Sequence, residues 1–160
     1  MLPNIFNDVL LNSNNEPIIS DFGLSKVMSE KYMMRSQIIG SPKYMAPELL
    51  KDEEYSDKVD VYSYGIIAYE LLTGKIAFGD VKSKKELRAL VLSGKRPPLD
   101  DEKKLHPVFK NLIQSCWDEN ESLRPTFYDL AVKFRKMEFV VDDCDKIHFR
   151  KYVRKCVYRI

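Results

Sequence analysis

The stretch DFGLSKVMSEKYMMRSQIIGSPKYMAPE, from Asp21 to Glu48, decides the reading of this chain. It carries Gly23, Gly40, Pro42 and Pro47 among polar residues and methionines, and it keeps neither the helical nor the strand period. A connection of that length inside a compact domain usually exists for function. Just upstream, Asp8 to Asn12 reads D-V-L-L-N, Ser13 to Glu16 is turn-like and Pro17 to Ser20 is a short apolar run. Two brief strands around a polar turn are expected there.

Downstream the pattern becomes helical. Asp60 to Leu72, D-V-Y-S-Y-G-I-I-A-Y-E-L-L, is apolar on nearly every side and stops before Thr73-Gly74, as a helix central to a core reads. Lys84 to Leu92 puts Leu87, Leu90 and Val91 at helical spacing, Pro107 to Trp117 opens on a helix-start proline, and Thr126 to Met137 is again amphipathic. The last segment, residues 138–160, begins with Asp142, Asp143 and Asp145 and continues as a basic amphipathic helix. Phe149, Tyr152, Val153, Cys156 and Val157 form its apolar stripe, and Lys146, Arg150, Lys151, Arg154, Lys155 and Arg159 carry the charge. A terminal helix packed on the domain is the preferred reading, with anionic membrane contact through residues 146–159 as the other.

The 160 residues, 44% of them hydrophobic, suffice for one domain with a real core. Twenty-six basic against 24 acidic residues leave a formal charge of +2, too little for whole-chain attraction to nucleic acid or membrane. Cys116, Cys144 and Cys156 are widely spaced, so neither a disulfide framework nor a zinc site is indicated, and a reducing cytoplasm is the expected location. No apolar stretch is long enough to span a bilayer. His106 and His148 read as surface or packing residues.

An aspartate before a glycine is most often an ordinary turn, and Pro-Glu is a routine helix start, so neither tripeptide says much alone. Their order and separation do. Asp21-Phe22-Gly23 after a strand and Ala46-Pro47-Glu48 beyond it resemble the D-F-G and A-P-E boundaries of a protein-kinase activation segment. The resemblance runs on through Gly40-Ser41-Pro42-Lys43-Tyr44-Met45, Asp60-Val61-Tyr62-Ser63-Tyr64-Gly65, Glu70-Leu71-Leu72-Thr73-Gly74 and Cys116-Trp117 to Leu123-Arg124-Pro125-Thr126. The wording is most similar to the tyrosine-kinase-like group, most of whose members phosphorylate serine or threonine.

The resemblance covers residues 8–137 and implies a mainly α protein-kinase C-lobe with a short β-hairpin, an activation segment and a helical bundle. It implies ATP and magnesium as cofactors and protein substrates or other kinases as partners. Asp21 would bind the metal between the ATP phosphates, Phe22 would set the on or off state by its packing, and Gly23 would let the backbone turn. Ser41 and Tyr44 match the substrate loop. Glu48 and Arg124 match a buried ion pair, Asp60 the helix-start aspartate that holds the catalytic loop or simply caps the helix, and Trp117 a core position. Ser29, Tyr32 and Ser36 are candidate phosphosites, where a phosphate would order the loop given an arginine cluster to receive it.

In the family the catalytic loop leads directly into the strand matching Val9-Leu10-Leu11. That alignment puts Met1, Leu2 and Pro3 where His, Arg and the catalytic Asp belong, Ile5 at the lysine, and Asp8 at the magnesium-binding Asn. Residues 1–7 are thus an irregular start that matches poorly, and Asp8 is the one candidate second metal ligand. Proline accepts no proton, and no Gly-rich loop or N-terminal lobe stands upstream, so weak or absent ATP binding and no phosphotransfer are expected of this chain. Two functional expectations follow: a catalytically incomplete piece of a serine/threonine kinase, or a non-catalytic, pseudokinase-like interaction module.

Overall fold

The computed structural model describes residues 9–14, 16–25, 40–99, 105–141 and 147. Pro3, Asp8, Ser29, Tyr32, Ser36 and most of the basic C-terminal segment lie outside them.

Strands β1 (Val9–Leu11) and β2 (Pro17–Ile19) pair antiparallel in the register Val9 to Ile19, Leu10 to Ile18 and Leu11 to Pro17. Asn12 closes the turn between them. Its side-chain oxygen accepts the N–H groups of Asn14 and Glu16, both at 2.9 Å, and its backbone N–H reaches Glu16 O at 3.0 Å. Leu10, Leu11, Ile18 and Ile19 are all exposed, so the hairpin presents apolar residues on both faces.

The helical part follows the predicted order: α1 (Pro47–Lys51), α2 (Lys58–Thr73), α3 (Lys84–Leu92), α4 (Pro107–Cys116) and α5 (Phe127–Arg135). Each start has a chemical reason. Ser83 Oγ accepts Glu86 N–H at 3.1 Å before α3, and the His106 ring accepts Val108 N–H at 3.3 Å with Pro107 in the first position of α4. Thr126 and Asp129 form a reciprocal capping box at the head of α5. Gly74, at φ 69°, ends α2 in the left-handed conformation.

The ends differ from expectation at two helices. Helix α2 begins at Lys58, so Asp60 is its third residue rather than its cap. Helix α5 stops at Arg135 although the apolar pattern runs to Met137. Met137 itself takes φ 63°, its N–H bonds to Phe134 O, and Glu138 N–H reaches back to Lys133 O at 3.1 Å. That is a Schellman termination with methionine where glycine is usual.

Helix α2 is the hub. Its Tyr62, Ile66 and Tyr69 join Leu50, Val91, Ile113 and Trp117 in the main core, while Val61 joins Leu112, Cys116, Leu130 and Phe139 in a second. Burial pushes the Cys116 thiol up to about 11, as befits a packing cysteine. Helices α2 and α4 meet at Gly65, where an added Cβ would lie 2.9 Å from Cys116 Cβ and 3.3 Å from Trp117 N.

Gly65→Ala is therefore expected to destabilise the protein by about 1–3 kcal/mol in urea unfolding. Cys116→Ala should not rescue it, because alanine keeps the Cβ that collides. A Gly65→Ala protein as stable as the wild type would show that the two helices can separate freely at this crossing.

Candidate functional site

Beyond β2 the chain turns at Asp21 into a short 3-10 turn, Phe22–Leu24. Asp21 sits at φ 58°, ψ 66°, a left-handed conformation that aspartate tolerates better than most residues, and its Oδ1 accepts Gly23 N–H at 3.3 Å. A Cβ at position 23 would stand 3.2 Å from that oxygen, so glycine leaves room for the turn. The Asp21 carboxylate is exposed, and Phe22 is 68% exposed beside it. Among the described residues no three acidic, histidine or cysteine side chains gather into a metal cage. A single open carboxylate nevertheless suits magnesium, which keeps several waters and takes one or two carboxylates together with nucleotide phosphates.

The far end of the segment is built differently. Ser41 is exposed and leads into a 3-10 turn, Pro42–Tyr44, closed by Tyr44 N–H to Ser41 O and Met45 N–H to Pro42 O, each at 3.2 Å. Met45 and Ala46 are buried, and α1 opens at Pro47. Glu48 then meets Arg124 through two parallel bonds, Nη1 to Oε1 at 2.7 Å and Nη2 to Oε2 at 3.0 Å.

Arg124, almost fully buried, also donates to the carbonyls of Asp118 at 2.8 Å, Lys58 at 3.2 Å and Glu119 at 3.5 Å, while Lys58 Nζ donates to the Arg124 carbonyl. The guanidinium groups of Arg124 and Arg96 each lie 5.2 Å from the centroid of the Tyr62 ring. The Tyr62 hydroxyl is buried with no hydrogen-bond partner among the described residues. Burial pushes its pKa up to about 12, against the opposing pull of the two arginines.

Helix α2 supplies three further polar side chains. Asp60, in its first turn, keeps exposed surface, yet partial desolvation and then the neighbouring Asp57 raise its carboxyl above the ordinary 3.8. Ser63 Oγ lies 2.7 Å from Tyr44 O and 3.1 Å from Val59 O. Glu70, with its side chain wholly buried, accepts from Lys43 Nζ at 3.0 Å, Tyr44 OH at 2.9 Å and Ala77 N–H at 2.8 Å.

Of the residues singled out from the sequence, the structure joins Glu48 to Arg124 and sets Ser41 and Tyr44 in one turn against α2. Trp117 lies in the core with its ring 5.9 Å from that of Tyr69. Asp21 stands apart, at the other end of the segment. Lys43, Ser63 and Glu70 were not singled out, although a lone carboxylate within I-I-A-Y-E-L-L was a visible signal.

Comparison with known proteins agrees with this architecture. Residues 6–134 match the protein tyrosine and serine/threonine kinase family. A dual specificity protein kinase of Dictyostelium discoideum, splA, is 38% identical over 75% of this chain and 5% of its own length. The serine/threonine/tyrosine-protein kinase HT1 of Arabidopsis thaliana is 34% identical over 88% of this chain and 34% of its own length. A second Arabidopsis protein, the serine/threonine-protein kinase STY17, is 29% identical over 91% of the chain and 25% of its own length. The chain thus spans about a third or less of these relatives. It belongs to the protein kinase family, with tyrosine-kinase-like relatives of serine/threonine and dual specificity. Among the described residues no helix is long and apolar enough to cross a membrane.

Glu48→Gln leaves Arg124 a buried charge with no counter-ion and is expected to cost about 3–5 kcal/mol in denaturant unfolding. Arg124→Lys keeps the charge but not the fork, and should also destabilise. A loss below about 1 kcal/mol for Glu48→Gln would mean that water reaches the pair.

Asp60 acts in the opposite sense. With its folded pKa above the unfolded 3.8, the folded state holds the proton more tightly, so its charge costs stability once the pH exceeds the folded value. The cost vanishes as the pH falls to 3.8 and below. Asp60→Asn should raise the melting midpoint at pH 7, and the gain should shrink through the carboxylate range. A gain independent of pH would show that the carboxylate charge is not its cause.

Proposed function

We propose that this chain forms the substrate-side, activation-segment part of a kinase domain that transfers the γ-phosphoryl group of ATP to serine or threonine of proteins. The observation that carries the reading is the bidentate, two-hydrogen-bond ion pair between Glu48 and Arg124. It fastens the end of the segment to the helical core, a few residues after the exposed Ser41. Phosphoryl transfer depends mainly on positioning and on charge placed where charge develops, so a loop anchored this way is what the reaction asks of this half of the domain.

Magnesium, when bound, would neutralise the phosphate charge, and Asp21 is the described residue that would hold it. The exposed apolar side chains of Leu10 and Ile18, on the hairpin leading to Asp21, offer a surface against which a flat base would lie. The G-S-x-x-Y setting of Ser41 and Tyr44 favours serine and threonine as acceptors, and a relative such as STY17 is named a serine/threonine kinase, while HT1 is named for tyrosine as well. Pro3, at the position of the general base, offers the acceptor hydroxyl's proton nowhere to go, so these 160 residues alone should not turn over.

The test uses labelled ATP, magnesium and a mixed protein substrate. The purified 160-residue chain should give no labelling above the blank. The native product, captured with an antibody to residues 138–160, should label serine or threonine and lose that activity on Asp21→Ala. Labelling by the 160-residue chain that depends on Asp21 would refute the incompleteness, and labelling confined to tyrosine would refute the substrate class. A native product that labels nothing leaves the reading of a non-catalytic interaction module.

A further inference from the structure

We infer that the basic C-terminal segment, residues 146–159, docks on this same chain, laying its apolar stripe over an exposed patch formed by Leu123, Phe127 and Tyr128. The patch belongs to the structure, while residues 148–160 lie outside the described residues and enter the argument through their sequence. The inference does not depend on whether the chain serves an active kinase.

The patch is large for a surface. Leu123 is 65% exposed, Phe127 47% and Tyr128 73%, three bulky side chains together at the head of α5. Tyr64 of α2 lies beneath them, its ring edge-on to that of Phe127 with 5.8 Å between centroids, and packs in turn on the second core. The patch is thus the open edge of that core.

Carboxylates border it. Exposed Asp57 and Asp60 stand at the start of α2, just before Tyr64, Asp129 follows Tyr128, and Glu121, which accepts from Ser56 Oγ at 3.0 Å, precedes Leu123. Lys58, the basic residue of that turn, spends its Nζ on the Arg124 carbonyl. An apolar surface with an acidic border suits a basic amphipathic helix.

The chain carries such a segment close by. Phe139 is buried in the second core with Leu130 of α5 and Val61 of α2, so the chain leaves that core beside the patch. Residues 142–148, fully extended, span up to about 25 Å, whereas the nine residues of α5 are only about 13 Å long. Reach is no obstacle. From Phe149 to Val157 apolar residues recur at spacings of three and four, and at about 100° per residue Arg150 and Arg159 fall on opposite edges of that stripe. That pattern sets the stripe on the patch and the guanidinium groups against its acidic border.

Disulfide trapping in the 160-residue chain tests the docking, because Cys156 belongs to the stripe itself. With Cys144→Ser to remove a competitor and Cys116 buried, Tyr128→Cys should form an intramolecular disulfide with Cys156 in a glutathione buffer. Lys84→Cys, at an exposed position on α3, measures the chance encounters of a tethered segment, and Tyr128→Cys should trap at least about tenfold faster. Val153→Asp, or Arg150→Glu with Arg159→Glu, should remove that advantage without lowering the melting midpoint of the helical domain. Equal trapping at the two positions would overturn the docking, and an advantage that survives the paired arginine changes would overturn the charge pairing. Disulfide-linked dimers in place of the intramolecular bond would overturn it in favour of a second copy of the chain. Loss of the advantage as the chain floats with vesicles of phosphatidylserine and phosphatidylcholine would overturn it in favour of a membrane surface.

Discussion

Arg124 is a permanently charged side chain placed where water does not reach, and the structure is arranged around making that tolerable. Its five N–H donors need acceptors in a fixed fork, and they are met by the Glu48 carboxylate and by the carbonyls of Lys58, Asp118 and Glu119. Four stretches of chain meet at one group: the end of the long loop, the start of α2, the turn after α4 and the approach to α5. Removing any one of them leaves either a buried charge or an unmet donor. The pair adds little if judged as an attraction alone, because both ions were well solvated before folding. Its effect is on specificity, since few other arrangements of these four stretches satisfy the guanidinium.

Helix α2 carries that constraint outward. It is apolar nearly all round, which suits the middle of a helical domain, and two of its polar exceptions, Ser63 and Glu70, face neighbours with matching groups. Ser63 and Glu70 face the loop before α1, and Tyr62 lies under two arginines. The orphaned Tyr62 hydroxyl shows the limit of this matching. The ring is held by its faces, and among the described residues its buried hydroxyl finds no hydrogen-bond partner.

The family and the helical order were legible because they rest on signals that act locally or in fixed order. Asp21-Phe22-Gly23 ahead of Ala46-Pro47-Glu48 marks the long loop, and the run from Asp60 to Leu72 declares a helix apolar on all sides. What escaped the sequence depends on partners distant along the chain. Glu70 looks like a surface residue misplaced in an apolar run until Lys43 and Tyr44 arrive from 27 and 26 residues away. The stop of α5 was hidden because methionine takes the left-handed position at 137, where only a glycine would have announced it. Asp60 reads as a cap because aspartate favours that position. Yet the helix starts earlier, where Ser56 Oγ accepts Lys58 N–H at 3.3 Å, and the aspartate ends up beside Asp57 with a raised pKa.

The two ends of the segment from Asp21 to Glu48 differ in what it takes to move them. At the near end Asp21 is held by one exposed bond to Gly23, on a hairpin whose apolar side chains stand in solvent. Among the described residues nothing covers the apolar side chains of Leu10, Leu11, Ile18 and Ile19, and a two-stranded hairpin by itself is only marginally stable in water. At the far end, release of Glu48 strands Arg124, and release of the turn that carries both Lys43 and Tyr44 leaves Glu70 without its counter-ion. Both are charges in the core, and each costs several kcal/mol. The far end is therefore held by energy, and the turn from Pro42 to Tyr44 keeps its place against α2. Under the proposed function, a turn held in register with the helical core is what would position a protein substrate.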